Sequence, residues 1–425
     1  MLLEFEVENF RSFADPVSFS MIASSDRSHA DHLIAVEGSR DRLMRSASIY
    51  GANASGKSNL VMAMGMLQTL VLRSHLAQFG EPMPFFPFKF GKPGELISTH
   101  YRAVFLADGV EYEYSLRHDA ARVLEESLYH FPKNRKAIIF ERAEGRELRA
   151  PQDDGTLRAI ADKTLPNALL LSKAVQDNHA SAIPAFKWFQ ERLMVILNIN
   201  SMVVEERALA RMQQDERFRT QLLKALQMAD LGIVDVRGKV VRMDQDEMDK
   251  IPPEIQEQMK GMVNGRIEQW RRLEIKTVHQ VVDEDGTAVQ SEMDFHAEES
   301  LGTQKVLAVV ALILEAVEAG KLLVLDEMDL RLHPLIARFL VEVMNDPEQN
   351  RLNAQFVFTT HNTGLFDLDL FRRDQIWFVE KDARGRSVLY SLSDFKVRKD
   401  LRVQKAYEVG RFGAIPFVRG GKVVE

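Results

Sequence analysis

Apolar and polar residues alternate along the opening stretch MLLEFEVENFRSFADPVSFSMIA, with Asp15-Pro16 interrupting the pattern. Side chains of a strand point to opposite faces in turn, so this period of two predicts two half-buried strands joined by a turn. The same period returns between Ile97 and Arg142, in YRAVFLADGVEYEYSL and AIIFER, where Ala-Asp-Gly is a turn signal. An antiparallel sheet is expected there.

Between Leu165 and Arg272 the pattern shifts toward helices. AFKWFQERLMVIL, DERFRTQLLKALQMA and PPEIQEQMKGMVNGRIEQWRRL interleave apolar faces with charge. No heptad run is long enough for a coiled-coil arm. EIKTVHQVVDEDGTAVQSEMDF then predicts a hairpin around Asp-Gly, and helix and strand patterns resume from Ser300. FGEPMPFFPFKFGKPGE is a Pro/Gly-rich linker. These shifts divide the chain into an N-terminal lobe (1–75), a β-rich part (76–164), a helical insertion (165–275) and a C-terminal lobe (276–425).

Composition narrows the function classes. A chain of 425 residues has room for about two to three domains. Its net charge of −7 argues against a globally basic nucleic-acid coat while allowing a local basic groove. The absence of cysteine excludes disulfides, thiolate zinc sites and cysteine nucleophiles. No apolar run reaches the length of about 18 residues that a membrane helix needs, and MLLEFEVENF is too acidic for a signal peptide. A cytoplasmic protein without a membrane partner is the expectation.

Candidate chemistry enters at SIYGANASGKSNLVMAM, Ser48 to Met64, where a glycine is followed by four residues and then Gly-Lys-Ser. Gly51 and Gly56 let backbone N–H groups turn inward toward phosphate oxygens, together with the positive end of the following helix. This is the pattern of a Walker A loop. Ala52, Asn53, Ala54, Ser55 and Asn59 complete the cradle, Lys57 reaches the β- and γ-phosphates, and Ser58 offers its hydroxyl to Mg²⁺. A β-branched and aromatic stretch precedes the loop and a helical pattern follows it, which an incidental glycine turn does not require.

KLLVLDEMDLRLHP supplies the complementary half. A buried parallel strand delivers carboxylates at its C-terminal edge, so Asp326 is the candidate Mg²⁺ ligand and Glu327 the candidate general base. Upstream, HAEESLGTQKVLAVVALILEAVEAG places Ser300 and Gly302 at the start of a long apolar helix, 26 residues before Asp326. An N-cap serine on a core helix fits Ser300 as well. Downstream, AQFVFTTHN ends a β-rich stretch at His361, where an imidazole can touch the γ-phosphate or orient water.

The order ENFRSF, GANASGKS, ESLGTQ, LLVLDEMD and TTHN resembles the ABC-type ATPases of the RecF, SMC and OLD group, including AAA-domain ATPases of phage-defence systems. The resemblance covers roughly residues 1–75 and 290–380. QIWFVEKDARGRSVLYSLSDFK and VGRFGAIP are most similar to the RloA sub-family of AbiLi-type abortive-infection systems. It implies an α/β fold, an ABC-type P-loop ATPase head with an antiparallel β subdomain and a helical insertion. It also implies ATP and Mg²⁺ as cofactors, and a homodimer or higher homo-oligomer in which Ser300 and Gly302 meet the opposite subunit's nucleotide. Arg11 becomes a candidate for the α-phosphate and His361 for the switch histidine. A separately encoded effector, a nuclease being one candidate, is the implied partner. A RecF-like repair ATPase that clamps nucleic acid is the competing reading. Leu301 stands where transporter ATPases carry glycine, and no Q-loop glutamine is assigned.

Three weaker patterns remain. SHADH places His29 and His32 three apart, which reads as a solvated loop. DFKVRKDLRVQK gathers Lys396, Arg398, Lys399, Arg402 and Lys405, which could contact nucleic-acid phosphates or an acidic partner, although most such runs are solvated helix faces. Glu380 and Asp382 resemble the acidic pair of a TOPRIM nuclease, but the 64 residues after His361 are too few for that domain, and a strand and turn are expected.

Overall fold

The structure is a computed structural model. It describes residues 1–37, 41–91, 97–152, 154–199, 201–229, 231–242, 271–282, 285–397 and 401–416. Two compact units divide the chain. The first comprises Met1–Leu197, Glu315–Leu330 and Pro334–Glu425, and the second Asn198–Leu314 with Arg331–His333.

In the first unit the alternating segments pair as their period predicts. Val17–Ser20, Leu2–Glu8, Thr99–Ala107, Val110–His118, Val123–His130 and Ala137–Ala143 form a six-stranded sheet in that order, every neighbouring pair antiparallel. A second six-stranded sheet runs Leu193–Ile196, Leu322–Leu325, Gln355–Thr359, Ser46–Tyr50, Ile376–Lys381 and Ser387–Ser391. Its first five strands are parallel and the last returns antiparallel. All five residues of Ser46–Tyr50, and all four of Leu322–Leu325, are buried. Burial of both alternating faces is what a parallel sheet covered on both sides requires, and Leu322–Leu325 meets it with a continuous apolar run.

The helix Lys57–Arg73 buries Leu60, Val61, Ala63, Met64, Leu67, Leu70 and Val71, a helical stripe facing the core. Each large aliphatic side chain so buried contributes about 1.5–3 kcal/mol, so the helix start has a fixed position. One core cluster joins this helix to Phe5, Tyr101 and Phe105 of the antiparallel sheet and to Ile49, Val324 and Val357 of the parallel one. Gln355 bolts the sheets together: its Oε1 accepts from Leu2 N at 2.6 Å and its Nε2 donates to Leu2 O at 3.0 Å.

The sequence pattern misplaces two strands, Leu193–Ile196 and Ile233–Arg242, both inside the 165–275 stretch that it reads as helical. Leu193–Ile196 lies inside a segment read as helical, yet it is a strand paired in parallel with Leu322–Leu325. Four residues are too few for a period to show, and a π-helical turn, Trp188–Arg192, leads straight into it. Of the PPEIQEQMKGMVNGRIEQWRRL segment, residues 252–270 lie outside the described residues.

The second unit holds the helices Met202–Gln214 and Glu216–Met228 and an antiparallel sheet of Ile233–Arg242, Arg271–Val282 and Ala288–Asp294. The expected hairpin is present as the last two of these strands. Among the described residues no helix is long and apolar enough to cross a membrane.

Candidate nucleotide site

The Ser46–Tyr50 strand ends at Gly51, and the chain turns through residues 51–56 into the helix that begins at Lys57. Two glycines make this path possible. A Cβ on Gly51 would fall 2.3 Å from the Val379 carbonyl oxygen, a backbone atom that cannot step aside. Gly56 has φ 116°, and a Cβ there would fall 2.4 Å from Ser387 Oγ and 2.7 Å from Ser12 Oγ. Ala54 is also left-handed, at φ 62°. The helix start has no side-chain cap and no acidic residue in its first turn, so its dipole is left for an anion, although Asn59 N already donates to Gly56 O at 3.0 Å.

Lys57 curls over the loop, donating to Gly51 O at 2.8 Å and Ala52 O at 3.1 Å. Burial lowers its ammonium pKa to about 8, against the opposing pull of Asp326, Glu327 and Asp329. Ser55 Oγ is buried without a hydrogen-bond partner among the described residues. Ser58 is half-buried, and Asn53 and Ala54 are exposed at the loop tip. A glycine cradle that a Cβ would fill, an unsatisfied hydroxyl and a lysine beside carboxylates fit a Mg²⁺–nucleotide.

The loop rests on residues that the motif does not contain. Asn59 Nδ2 donates to Ser12 Oγ at 2.7 Å, Ser387 Oγ lies 2.7 Å from Ser12 Oγ, and Ser387 N donates to Ser12 O at 2.7 Å. Ser387 Oγ also donates to Ser55 O at 2.5 Å. Ser12 comes from the ENFRSF stretch, whereas no local pattern marks Ser387. Arg11, next to it, is exposed with its guanidinium 5.2 Å from the Phe86 ring centre.

Sheet order explains how the distant motifs meet. Gln355–Thr359 lies between Leu322–Leu325 and Ser46–Tyr50, all three parallel, so their C-terminal ends open on one edge. Ligands of open α/β sheets bind at such edges. Asp326 and Glu327 follow the first strand, Thr359 to His361 the second, and the glycine loop the third. Thr359 Oγ1 donates to Asp326 Oδ1 at 2.6 Å and accepts from Glu327 N at 2.8 Å. Glu327 is left-handed, at φ 49°, and exposed. His361 keeps an exposed edge, yet partial burial lowers its pKa, and the Lys57 charge adds to that effect while Asp329, Glu327 and Asp326 oppose it. Thr359 and Asp329 are the site neighbours that the motifs do not mark, although Asp329 is the third acid of DEMD.

Ser300 and Gly302 belong to the second unit. Ser300 is exposed and caps the helix Leu301–Ala319, its Oγ accepting from Thr303 N at 3.1 Å. A Cβ on Gly302 would meet Arg331 O at 3.1 Å, a tight approach.

The remaining patterns resolve as well. Glu380 ends a strand, where its Oε2 accepts from Tyr390 Oη at 3.0 Å. Asp382 Oδ1 accepts from the backbone of Arg384 and Arg386 at 2.8 Å each, so the pair fastens a hairpin turn. In the basic run, Arg398 and Lys399 lie outside the described residues, and Lys405 sits in the helix Val403–Glu408. SHADH is not simply a solvated loop, because His32 is only 8% exposed.

Comparison of the chain with curated proteins finds no match. A family model described as "AAA domain, putative AbiEii toxin, Type IV TA system" matches residues 46–367, from the first residue of the Ser46–Tyr50 strand to just past His361. The match takes in the glycine loop, both strand-end acids and the histidine, and it spans more than half of the 425 residues. The chain therefore belongs to this AAA-domain family, whose description points to toxin–antitoxin and abortive-infection systems.

Proposed function

We propose that the protein binds and hydrolyses ATP as an ABC-type ATPase and acts as a dimeric or higher-order switch on a separately encoded effector in defence against phage. The observation that carries this reading is the meeting of the glycine loop, Asp326, Glu327 and His361 along one edge of one parallel sheet.

In this reading the loop amides and Lys57 bind the triphosphate, and Lys57 exchanges its two carbonyl partners for phosphate oxygens. Ser58 and Asp326 would hold Mg²⁺, which neutralises charge developing on the phosphates. Glu327 takes the proton of the attacking water, and His361 contacts the transferred phosphoryl group or the water. Arg11 is offered for the α-phosphate. The exposure of Ser300 and of Leu301, at 52%, suits a helix start that serves a second subunit. The description of the family and the similarity to RloA-type ATPases support the defence role.

This reading rests on the nucleotide site alone. A nucleotide cycle alone moves a bistable element that another molecule reads. The stretches 165–272 and 396–405 are the parts of the chain offered for that reading.

The purified chain should hydrolyse ATP slowly, and Lys57→Ala should lose nucleotide binding. Glu327→Gln should keep binding but nearly abolish turnover, because an amide accepts no proton. Neither DNA nor RNA should be cut by the chain alone, and toxicity or phage protection should require co-expression with its partner. Wild-type turnover by Glu327→Gln would reject the base. Salt-dependent DNA binding by the lone chain would favour a nucleic-acid clamp.

A further inference from the structure

The turn that carries His29, Asp31 and His32 lies in the first unit and takes no part in the nucleotide site. Each of the three side chains offers a ligand atom within 4.8 Å of the other two. The two imidazole rings lie 4.7 Å apart, nearly parallel at 23°. Asp31 is exposed, His29 half-buried and His32 buried.

The hydrogen bonds around the rings fix their tautomers. His29 Nε2 lies 2.8 Å from the Leu368 carbonyl oxygen. A carbonyl only accepts, so Nε2 carries the hydrogen and Nδ1 keeps its lone pair. His32 Nδ1 lies 3.0 Å from Gln375 Oε1. The orientation of that amide is set on both sides: Arg372 N donates to Oε1 at 2.9 Å, and Gln375 Nε2 donates to Ser46 O at 3.0 Å. Oε1 is therefore the acceptor, His32 Nδ1 the donor, and His32 Nε2 keeps its lone pair. An imidazole whose one nitrogen donates to a carbonyl or amide oxygen, leaving the other basic, is how proteins prepare histidine for a metal.

The turn is also held from below. Fully buried Arg372 donates to Asp26 O at 2.9 Å and Ser28 O at 2.5 Å, while pairing with Asp374 at 2.7 Å. Arg373 binds the Asp26 carboxylate at 2.6 Å, and Ser24 N and Oγ each donate to Asp374 at 2.7 Å. Ligands locked by a supporting shell pay little ordering entropy when an ion arrives.

We propose that His29, Asp31 and His32 form a binding site for a divalent transition ion of zinc type, with three protein ligands and a fourth position open. Two imidazoles and one carboxylate favour such an ion over Mg²⁺ or Ca²⁺, which prefer oxygen alone. Zinc–nitrogen bonds of about 2.0–2.1 Å set tetrahedral ligand atoms about 3.4 Å apart. The cluster must therefore contract by on the order of 1 Å from the 4.8 Å limit, and the near-parallel imidazoles must tilt toward the ion, movements open to the exposed Asp31 by side-chain rotation and to half-buried His29 by loosening its bond to Leu368 O.

The test uses the full chain, stripped of metal by dialysis against a chelator and free of nucleotide. Zn²⁺ is titrated in competition with a chromophoric chelator, and Co²⁺ is followed by its visible absorption. Wild type and Asp326→Asn should each take up one equivalent of Zn²⁺ at this site, and Co²⁺ should show nitrogen-ligated d–d bands. His29→Asn keeps a residue suited to the left-handed backbone at φ 44°, and Asp31→Asn changes an exposed side chain, so both should fold. Each should weaken Zn²⁺ at least about tenfold. Absence of saturable binding to the wild type, or unchanged affinity in the folded double variant, would overturn the assignment.

Discussion

Thr359 Oγ1 bridges the two acids of the neighbouring strand end, donating to Asp326 Oδ1 at 2.6 Å and accepting the Glu327 N–H at 2.8 Å. One hydroxyl thus holds the candidate metal ligand and orients the peptide that carries the candidate base. Thr359→Val keeps the shape of the side chain but loses both bonds. A hydrogen bond to a charged group contributes about 1.5–3 kcal/mol, so kcat should fall about 10–100-fold. ATP affinity, which rests on the loop and Lys57, should change little. Thr359→Ser should recover most of the rate in a steady-state phosphate-release assay. Equal losses of kcat and affinity would place Thr359 in general folding instead.

Glycine loops differ in how hard their contacts are. On Gly51 an added methyl group would press on the Val379 carbonyl oxygen at 2.3 Å, whereas on Gly56 it would meet two serine hydroxyls at 2.4 and 2.7 Å. Backbone yields less than a hydroxyl rotor. Gly51→Ala should therefore lower the melting temperature more than Gly56→Ala, and both should lose nucleotide affinity. Calorimetric melts with and without ATP give the ranking, and the reverse order would contradict the geometry.

Much of this site was legible because its chemistry is local in sequence. Gly51 to Ser58 read as a phosphate loop from spacing alone, and LLVLDE read as a buried strand ending in acids, since continuous apolar runs and glycine freedom are short-range signals. Ser387 was not legible. Its contact with Ser12 joins residues 375 positions apart through a hairpin whose register no local pattern encodes. Thr359 fell between two recognised positions and stood out only once sheet order put its strand between the other two. Leu193–Ile196 does not show as a strand in the sequence, because four apolar residues carry no period. The SHADH turn looked solvated because the Arg372 and Gln375 side chains that bury and orient it come from the other end of the chain.

The composite arrangement proposed for the oligomer makes a mixing experiment decisive. Ser300→Arg should spare nucleotide binding by a single chain but block closure onto a second one, because it replaces a helix-capping hydroxyl with a bulky cation. Lys57→Ala should remove binding in its own chain. Mixed dimers then contain one site with both lesions and one intact site, so ATPase activity should reappear on mixing the two inactive variants. Mixed dimers shown to form but to remain inactive at every ratio would count against shared sites, provided a single intact site can turn over.

Lys57 also couples nucleotide binding to protons. Burial holds its pKa at about 8 without phosphate. Phosphate oxygens favour the charged ammonium and raise that value toward or above the ordinary 10.5. More than about one unit below pH 8 the lysine is already charged before binding, and almost no proton is exchanged. Between about 8 and 10.5 it is largely neutral when free and charged when bound, so binding draws in most of one proton and affinity falls as pH rises, by up to about tenfold per unit. Calorimetry at pH 9 in two buffers of different ionisation enthalpy should show this uptake. Lys57→Arg, whose guanidinium stays charged throughout, should bind without it wherever it binds at all. A wild-type heat independent of buffer at pH 9 would mean that Lys57 is charged before the nucleotide arrives, and that the carboxylates of Asp326, Glu327 and Asp329 outweigh its burial.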